Sequence, residues 1–121
     1  MAYWSEVVIA LSKEGHEKFN ALLTAKMLEE KFEDETPFDV LSYAEKTDYS
    51  NGAVLYHWHS IKWYDDMFKS IMAIMDALKE LNTNMYRYVR TGEELGDWND
   101  EGCMIEGPPF IGISCNIDIY D

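Results

Sequence analysis

The sequence predicts a single α+β domain on a ferredoxin-like, split βαβ plan: strand, helix, strand, strand, helix, strand, with one more strand at the end. Three observations carry that prediction. A short β-branched run hands over to a helix at Ser12, an Asn51-Gly52 pair separates two runs of strand-forming residues, and a second helical stripe runs into an alternating segment. Right-handed crossovers then set both helices on one face of an antiparallel sheet and leave the other face open or free for contact. At 121 residues the chain is one domain, 1–121, built on one core.

The elements follow in order. Val7-Val8-Ile9-Ala10-Leu11 is the first strand, and Ser12 is a favoured helix N-cap. Phe19, Leu22, Leu23 and Met27 recur at helical spacing and predict a helix over 13–31. Pro37 turns Thr36 away from helix, so an extended segment is expected over 38–49, paired through Asn51-Gly52 with a strand over 53–63. A two-residue loop sets Tyr49 opposite Val54, Glu45 opposite Trp58 and Tyr43 opposite Ser60. It gives one aromatic face with Tyr43, Tyr49, Tyr56 and Trp58, and a second face with Ala44, Leu55, His57, His59 and Ile61, whose small residues admit a helix. Asp65 or Asp66 caps a helix in which Phe68, Ile71, Met72, Met75, Leu78 and Leu81 share one stripe. Met85 to Thr91 alternates as a strand, Gly92 opens an acidic loop, and Phe110 to Tyr120 alternates as the final strand.

Composition narrows the function. Lys and Arg number 10 against 23 Asp and Glu, for a formal net charge of −13. Free nucleic acid and anionic membrane are repelled by such a molecule, so neither is expected as a direct partner. With 47% hydrophobic residues the chain has the apolar surface to fold. No run approaches the roughly 20 apolar residues of a membrane helix, and the N-terminus carries no secretory pattern, so a cytoplasmic location is expected. Two cysteines, Cys103 and Cys115, make no disulfide scaffold.

No nucleophile elbow, phosphate loop or dinucleotide fingerprint is present, and Gly92, Gly96, Gly102 and Gly107 are spaced by acids. The chain is therefore read as a non-enzyme without a cofactor. His57 and His59 share a strand face, a spacing that supplies two metal ligands, with Cys103 or Cys115 as third. No Cys-x-x-Cys or His-Glu-x-x-His accompanies them, so the expectation is two half-buried histidines and no metal. Tyr43, Tyr56 and Trp58 resemble a base-stacking platform, but the charge argues against nucleic acid, and a second core face covered by the C-terminal strand region or by a second copy of the chain fits better.

The most distinctive segment is the acidic loop with Glu93, Glu94, Asp97, Asp100, Glu101 and Glu106 around Trp98. Beyond Arg90 the last 31 residues hold no Lys or Arg. Carboxylates on a rigid fold can imitate nucleic-acid phosphates and steer a basic protein into contact, with the aromatic as buried anchor. Leu55 to Tyr64 (Leu-Tyr-His-Trp-His-Ser-Ile-Lys-Trp-Tyr) and Tyr86 to Glu94 (Tyr-Arg-Tyr-Val-Arg-Thr-Gly-Glu-Glu) resemble stretches in small accessory proteins of tailed bacteriophages and prophages. The likeness spans about a third of the chain. It implies a protein made in an infected bacterium, from a gene class rich in inhibitors of host enzymes and defence systems, and it transfers no active-site residue. The function expected is thus a phage-type modulator of a host defence or nucleic-acid-handling protein with a basic surface, acting through a DNA-mimic-like face. The alternatives are a self-associating module that dimerises through the aromatic face, and a small metabolite-binding domain or enzyme.

Overall fold

The computed structural model describes residues 2–104, 108–113 and 117–120. Strand β1 (Ser5–Leu11) lies in the middle of a five-stranded antiparallel sheet of order β2-β3-β1-β4-β5, with β2 over Glu45–Asp48, β3 over Val54–Ile61, β4 over Tyr86–Thr91 and β5 over Trp98–Gly102. Its unbroken apolar run suits that place, because Val7 to Leu11 are buried on both faces of the sheet. Helices α1 (Lys13–Glu29), α2 (Pro37–Ser42) and α3 (Lys69–Lys79) cover one face, and a single 3₁₀ turn over Thr83–Met85 leads into β4. Strands β6 (Phe110–Ile113) and β7 (Ile117–Tyr120) pair as a separate hairpin that packs on the opposite face. The α+β class and the antiparallel sheet follow the sequence reading, whereas the expected C-terminal strand is a separate two-stranded sheet, the fifth strand of the main sheet is β5 in the expected acidic loop, and a third helix is added.

Alternation of side chains along the strands divides the core in two. On the helix side Val7, Ile9, Leu11, Val54, Tyr56, Trp58 and Tyr88 meet Phe19, Leu23, Ile71, Ile74 and Leu78. On the hairpin side Val8, Ala10, Leu55 and Val89 meet Met104, Ile111 and Ile117. Aromatic rings thread the first layer: Tyr56 stacks beside Trp58 at 6.3 Å, Trp58 lies 5.0 Å from Trp63, and Trp63 lies 6.4 Å from Tyr88.

Several expectations are corrected. The segment 38–49 is not one strand, because Thr36 and Asp39 form a capping box and Pro37 occupies the first helical turn, so Pro37–Ser42 coils into α2. Proline there starts a helix instead of excluding one. Replacing Thr36 with alanine is expected to cost about 1 kcal/mol, read from the urea midpoint. The hairpin register also differs by one residue. The Gly52 N–H donates to the Tyr49 carbonyl, the Tyr49 N–H donates to the Ala53 carbonyl, and Gly52 sits at φ +86°, so the loop has three residues and only its glycine is left-handed. Asp48 therefore faces Val54 and Glu45 faces His57, not Trp58. That slip moves Glu45 and Thr47 to the His57 face. The pairing of β3 with β1 sets Trp58 and Tyr56 beside Val7 and Ile9 on the side the helices cover, and the His57 face, expected to admit a helix, turns to the β6–β7 side.

Asp65 and Asp66 do not cap α3, which begins at Lys69 after Phe68 with no side-chain cap. The Tyr64 carbonyl instead accepts from Met67 and Phe68 in a preceding turn. The acidic loop is not a loop throughout, since Trp98–Gly102 pairs with β4 as an edge strand. The segment 110–120 is likewise two paired strands. Helix α1 and strand β4 match expectation closely, with Ser12 accepting from the Gly15 N–H as N-cap.

Candidate functional site

The predicted partner surface lies on β5 and the turn that precedes it, and its carboxylates divide into two groups. Asp97 and Asp100 are held by arginines of β4. Arg87 grips Asp100 through Nε and Nη2 at 3.0 and 2.9 Å, while its Nη1 donates to the Ile111 carbonyl at 2.7 Å. One side chain thus ties the edge strand to the β6–β7 hairpin. Arg90 donates to Asp97 at 2.6 Å, to Asn99 Oδ1 at 2.9 Å and to Ser5 Oγ at 3.0 Å. Tyr3 adds its hydroxyl to Asp97 Oδ2 at 2.5 Å and accepts from the Glu94 N–H. Gly92 lets these groups converge, because a Cβ there would collide with the Asp97 carboxylate and the Tyr3 hydroxyl. The Arg90 and Tyr3 hydrogen bonds hold the Asp97 carboxyl below its usual range, and the same Asp97 bond raises the Tyr3 phenol.

The remaining acids are exposed. Glu93, Glu94 and Glu101 make no ion pair among the described residues. Glu106 lies outside the described residues. Trp98 is 54% exposed on the edge strand. Beside it a shallow groove of about 470 Å³ runs between β5 and α3, edged by Trp98 and Glu101 on the strand and by Asp65, Met72, Asp76 and Lys79 opposite. Asp65 and Asp76 were missed as members of this surface. Asp65 was read only as a helix cap, and Asp76 is a polar interruption of α3 that periodicity alone assigns to solvent. A wider cleft of about 670 Å³ separates the α1–α2 connection from the start of α3 and exposes Met67 and Phe68.

The aromatic interface is corrected by the side on which the helices pack. Tyr56 and Trp58 are buried beneath the helices, where the Tyr56 hydroxyl pairs with His16 Nε2 at 2.9 Å and Trp58 Nε1 donates to the Val40 carbonyl at 2.9 Å. Tyr43 alone of the three is exposed, at the end of α2, and bonds Glu35. No surface patch unites them.

The opposite face holds a cluster that sequence reading half saw. His57 and His59 point the same way from β3, with ring centroids 3.9 Å apart. Glu6 of β1 lies beside them, its Oε2 2.7 Å from His57 Nε2, and the ligating atoms of Glu6, His57 and His59 all fall within 4.8 Å of one another. Glu45 of β2 reaches His59 Nε2 at 3.3 Å, and Glu6 Oε1 accepts from the Ile117 N–H of β7 at 3.4 Å. Glu6 was missed because only the pairing of β1 with β3 brings it there. Cys103, considered as a third ligand, sits elsewhere, bonded to Thr83. Cys115 lies outside the described residues.

No protein-family model, curated protein or solved structure matches this chain. Among the described residues no helix is long and apolar enough to cross a membrane.

Proposed function

We propose that this protein is a non-enzymatic acidic binding protein that engages a basic protein surface through β5 and the groove between β5 and α3. The observation that carries the reading is Trp98, more than half exposed at the lip of an acid-edged groove. Exposed tryptophan supplies large contact area at small entropic cost, and the acids around it favour encounter with cations. The bonds of Arg87 and Arg90 hold β5 in place, so little ordering cost falls due on binding. Glu93, Glu94, Glu101, Asp65 and Asp76 then act as the phosphate-like charges, and Asp97 and Asp100 act as struts.

A DNA-mimic action on a host defence or nucleic-acid-handling protein, in the manner of phage accessory proteins, is the form of this proposal that the resemblance of 55–64 and 86–94 supports. A cytoplasmic site in an infected bacterium belongs to the same reading. Self-association through the β5 edge is disfavoured by charge, because a second β5 would add its own Asp100 and Glu101 to an edge that already carries these acids. For the fold, we propose that strands β2, β3, β1 and β4 with α1 and α3 form a ferredoxin-like core to which β5, α2 and the β6–β7 pair are additions. The alternation of elements and the antiparallel pairing support it.

Capture from bacterial lysate on immobilised wild-type protein, against Trp98→Ala and against Glu93→Gln/Glu94→Gln/Glu101→Gln, tests the binding surface. A protein retained by the wild type, lost from both variants and displaced by duplex DNA is the expected result. Equal retention by all three would contradict it. The glutamine variant alters exposed side chains and is expected to change stability by less than about 0.5 kcal/mol. Trp98→Ala also gives up the covered part of the ring and is expected to cost about 1–2 kcal/mol, which circular dichroism and the urea midpoint separate from loss of contact.

A further inference from the structure

We infer that Glu6, His57 and His59 form a binding site for one divalent first-row transition cation of the Zn²⁺ type. Two imidazoles and one carboxylate are the donor set that such ions prefer over Mg²⁺ or Ca²⁺, which take oxygen. The three ligating atoms already lie within 4.8 Å of one another. Bonds of about 2.0–2.2 Å set neighbouring ligands about 3.4 Å apart in a tetrahedral site, so a modest inward movement of exposed His59 completes the set. The His57 to Glu6 contact at 2.7 Å widens by several tenths of an ångström as the cation takes the place of the proton between them. A neutral His57 that donated from Nε2 then carries its proton on Nδ1, and an imidazolium releases one proton to solvent.

The surroundings are arranged as an outer shell. Glu6 is held at its second oxygen by the Ile117 N–H, which leaves Oε2 turned to His57. Glu45 Oε2 accepts from His59 Nε2 at 3.3 Å and acts as the carboxylate that orients its ring, which leaves His59 Nδ1 as the nitrogen for the cation. The base of the site is rigid, since Val8 pairs with His57 across the ladder and Glu45 pairs with His57 on the other side. The outer side is open: the His57 side chain is 11% exposed and that of His59 63%, which leaves room for water or a further ligand on the cation. The net charge of −13 raises the local concentration of any cation.

The test is calorimetric titration of the full chain, stripped with EDTA, by Zn²⁺ and separately by Mg²⁺. One Zn²⁺ per chain is expected, with no matching uptake of Mg²⁺. His59→Ala and Glu6→Gln should each weaken Zn²⁺ by at least about tenfold, and Glu45→Gln by less. His59 is exposed, so its variant is expected to keep the wild-type circular dichroism, which separates ligand loss from unfolding. Absence of stoichiometric Zn²⁺ binding, or binding that His59→Ala and Glu6→Gln leave unchanged, overturns the site and leaves two histidine–carboxylate pairs of structural role.

Discussion

Trp58→Ala is expected to lower the unfolding free energy by about 3–5 kcal/mol, a large share of the roughly 5–15 kcal/mol that holds a domain of this size together. The indole is 3% exposed between Tyr56 and Trp63, and its removal opens a cavity under α2. It also removes one of two hydrogen bonds to the Val40 carbonyl, which accepts from Trp58 Nε1 at 2.9 Å and from the Tyr43 N–H at 3.2 Å. Trp58→Phe separates the two contributions, because it keeps most of the packing and loses the hydrogen bond, for about 1–3 kcal/mol. Urea titration of the variants reads both values. A Trp58→Ala midpoint equal to that of the wild type would show that this ring is not in the core at all.

The second large effect concerns the junction of β1, β4 and the turn before β5. Arg90→Ala is expected to destabilise by about 1–3 kcal/mol, since it removes charge-assisted bonds and leaves Asp97, Asn99 and Ser5 without a shared donor. The same cluster gives stability a pH dependence. Asp97 has a folded pKa below its ordinary 3.8, so it binds protons less readily in the folded chain than in the unfolded one. Its contribution is therefore present above that ordinary value and is lost as pH falls through the folded one. Asp97→Asn should flatten the part of the acid-unfolding curve below about pH 4 and leave the neutral limb parallel. An unchanged acid limb would remove the Arg90–Asp97–Tyr3 cluster from the account.

Much of the fold was legible because local signals and tertiary packing agree. Ser12 caps α1, Phe19 and Leu23 face the core, and Val7 to Leu11 read as a strand with no polar face. The errors arose where one residue carries two meanings. Pro37 both forbids helix before it and favours helix after it, and the capping box with Asp39 decides for the helix. Asn51-Gly52 signals a hairpin whatever the loop length, but only the bonds of Tyr49 and the left-handed Gly52 fix the register that sets Glu45 opposite His57, and only the packing of the helices over Val7, Ile9 and Trp58 shows which face is inward.

The candidate surfaces were legible in part for a different reason. Composition shows how many acids crowd Glu93 to Glu101, whereas only β4 shows which are spent on arginine. Arg87 and Arg90 point to opposite faces of that strand, and each takes one aspartate of the β5 region. What stays unpaired is joined by Asp65 and Asp76, distant in sequence and adjacent across the groove. The Glu6–His57–His59 cluster has the same character: β1 and β3 bring together residues some fifty positions apart.

The central claim is that exposed acids and Trp98 form one electrostatically steered contact surface. Its most direct measurement is the affinity of the captured partner as a function of salt, for wild type and for Glu93→Gln/Glu94→Gln/Glu101→Gln. The account predicts an affinity that falls steeply as salt rises, with a shallower slope in the neutralised variant. A flat salt response in the wild type, or the same slope in both, would contradict it.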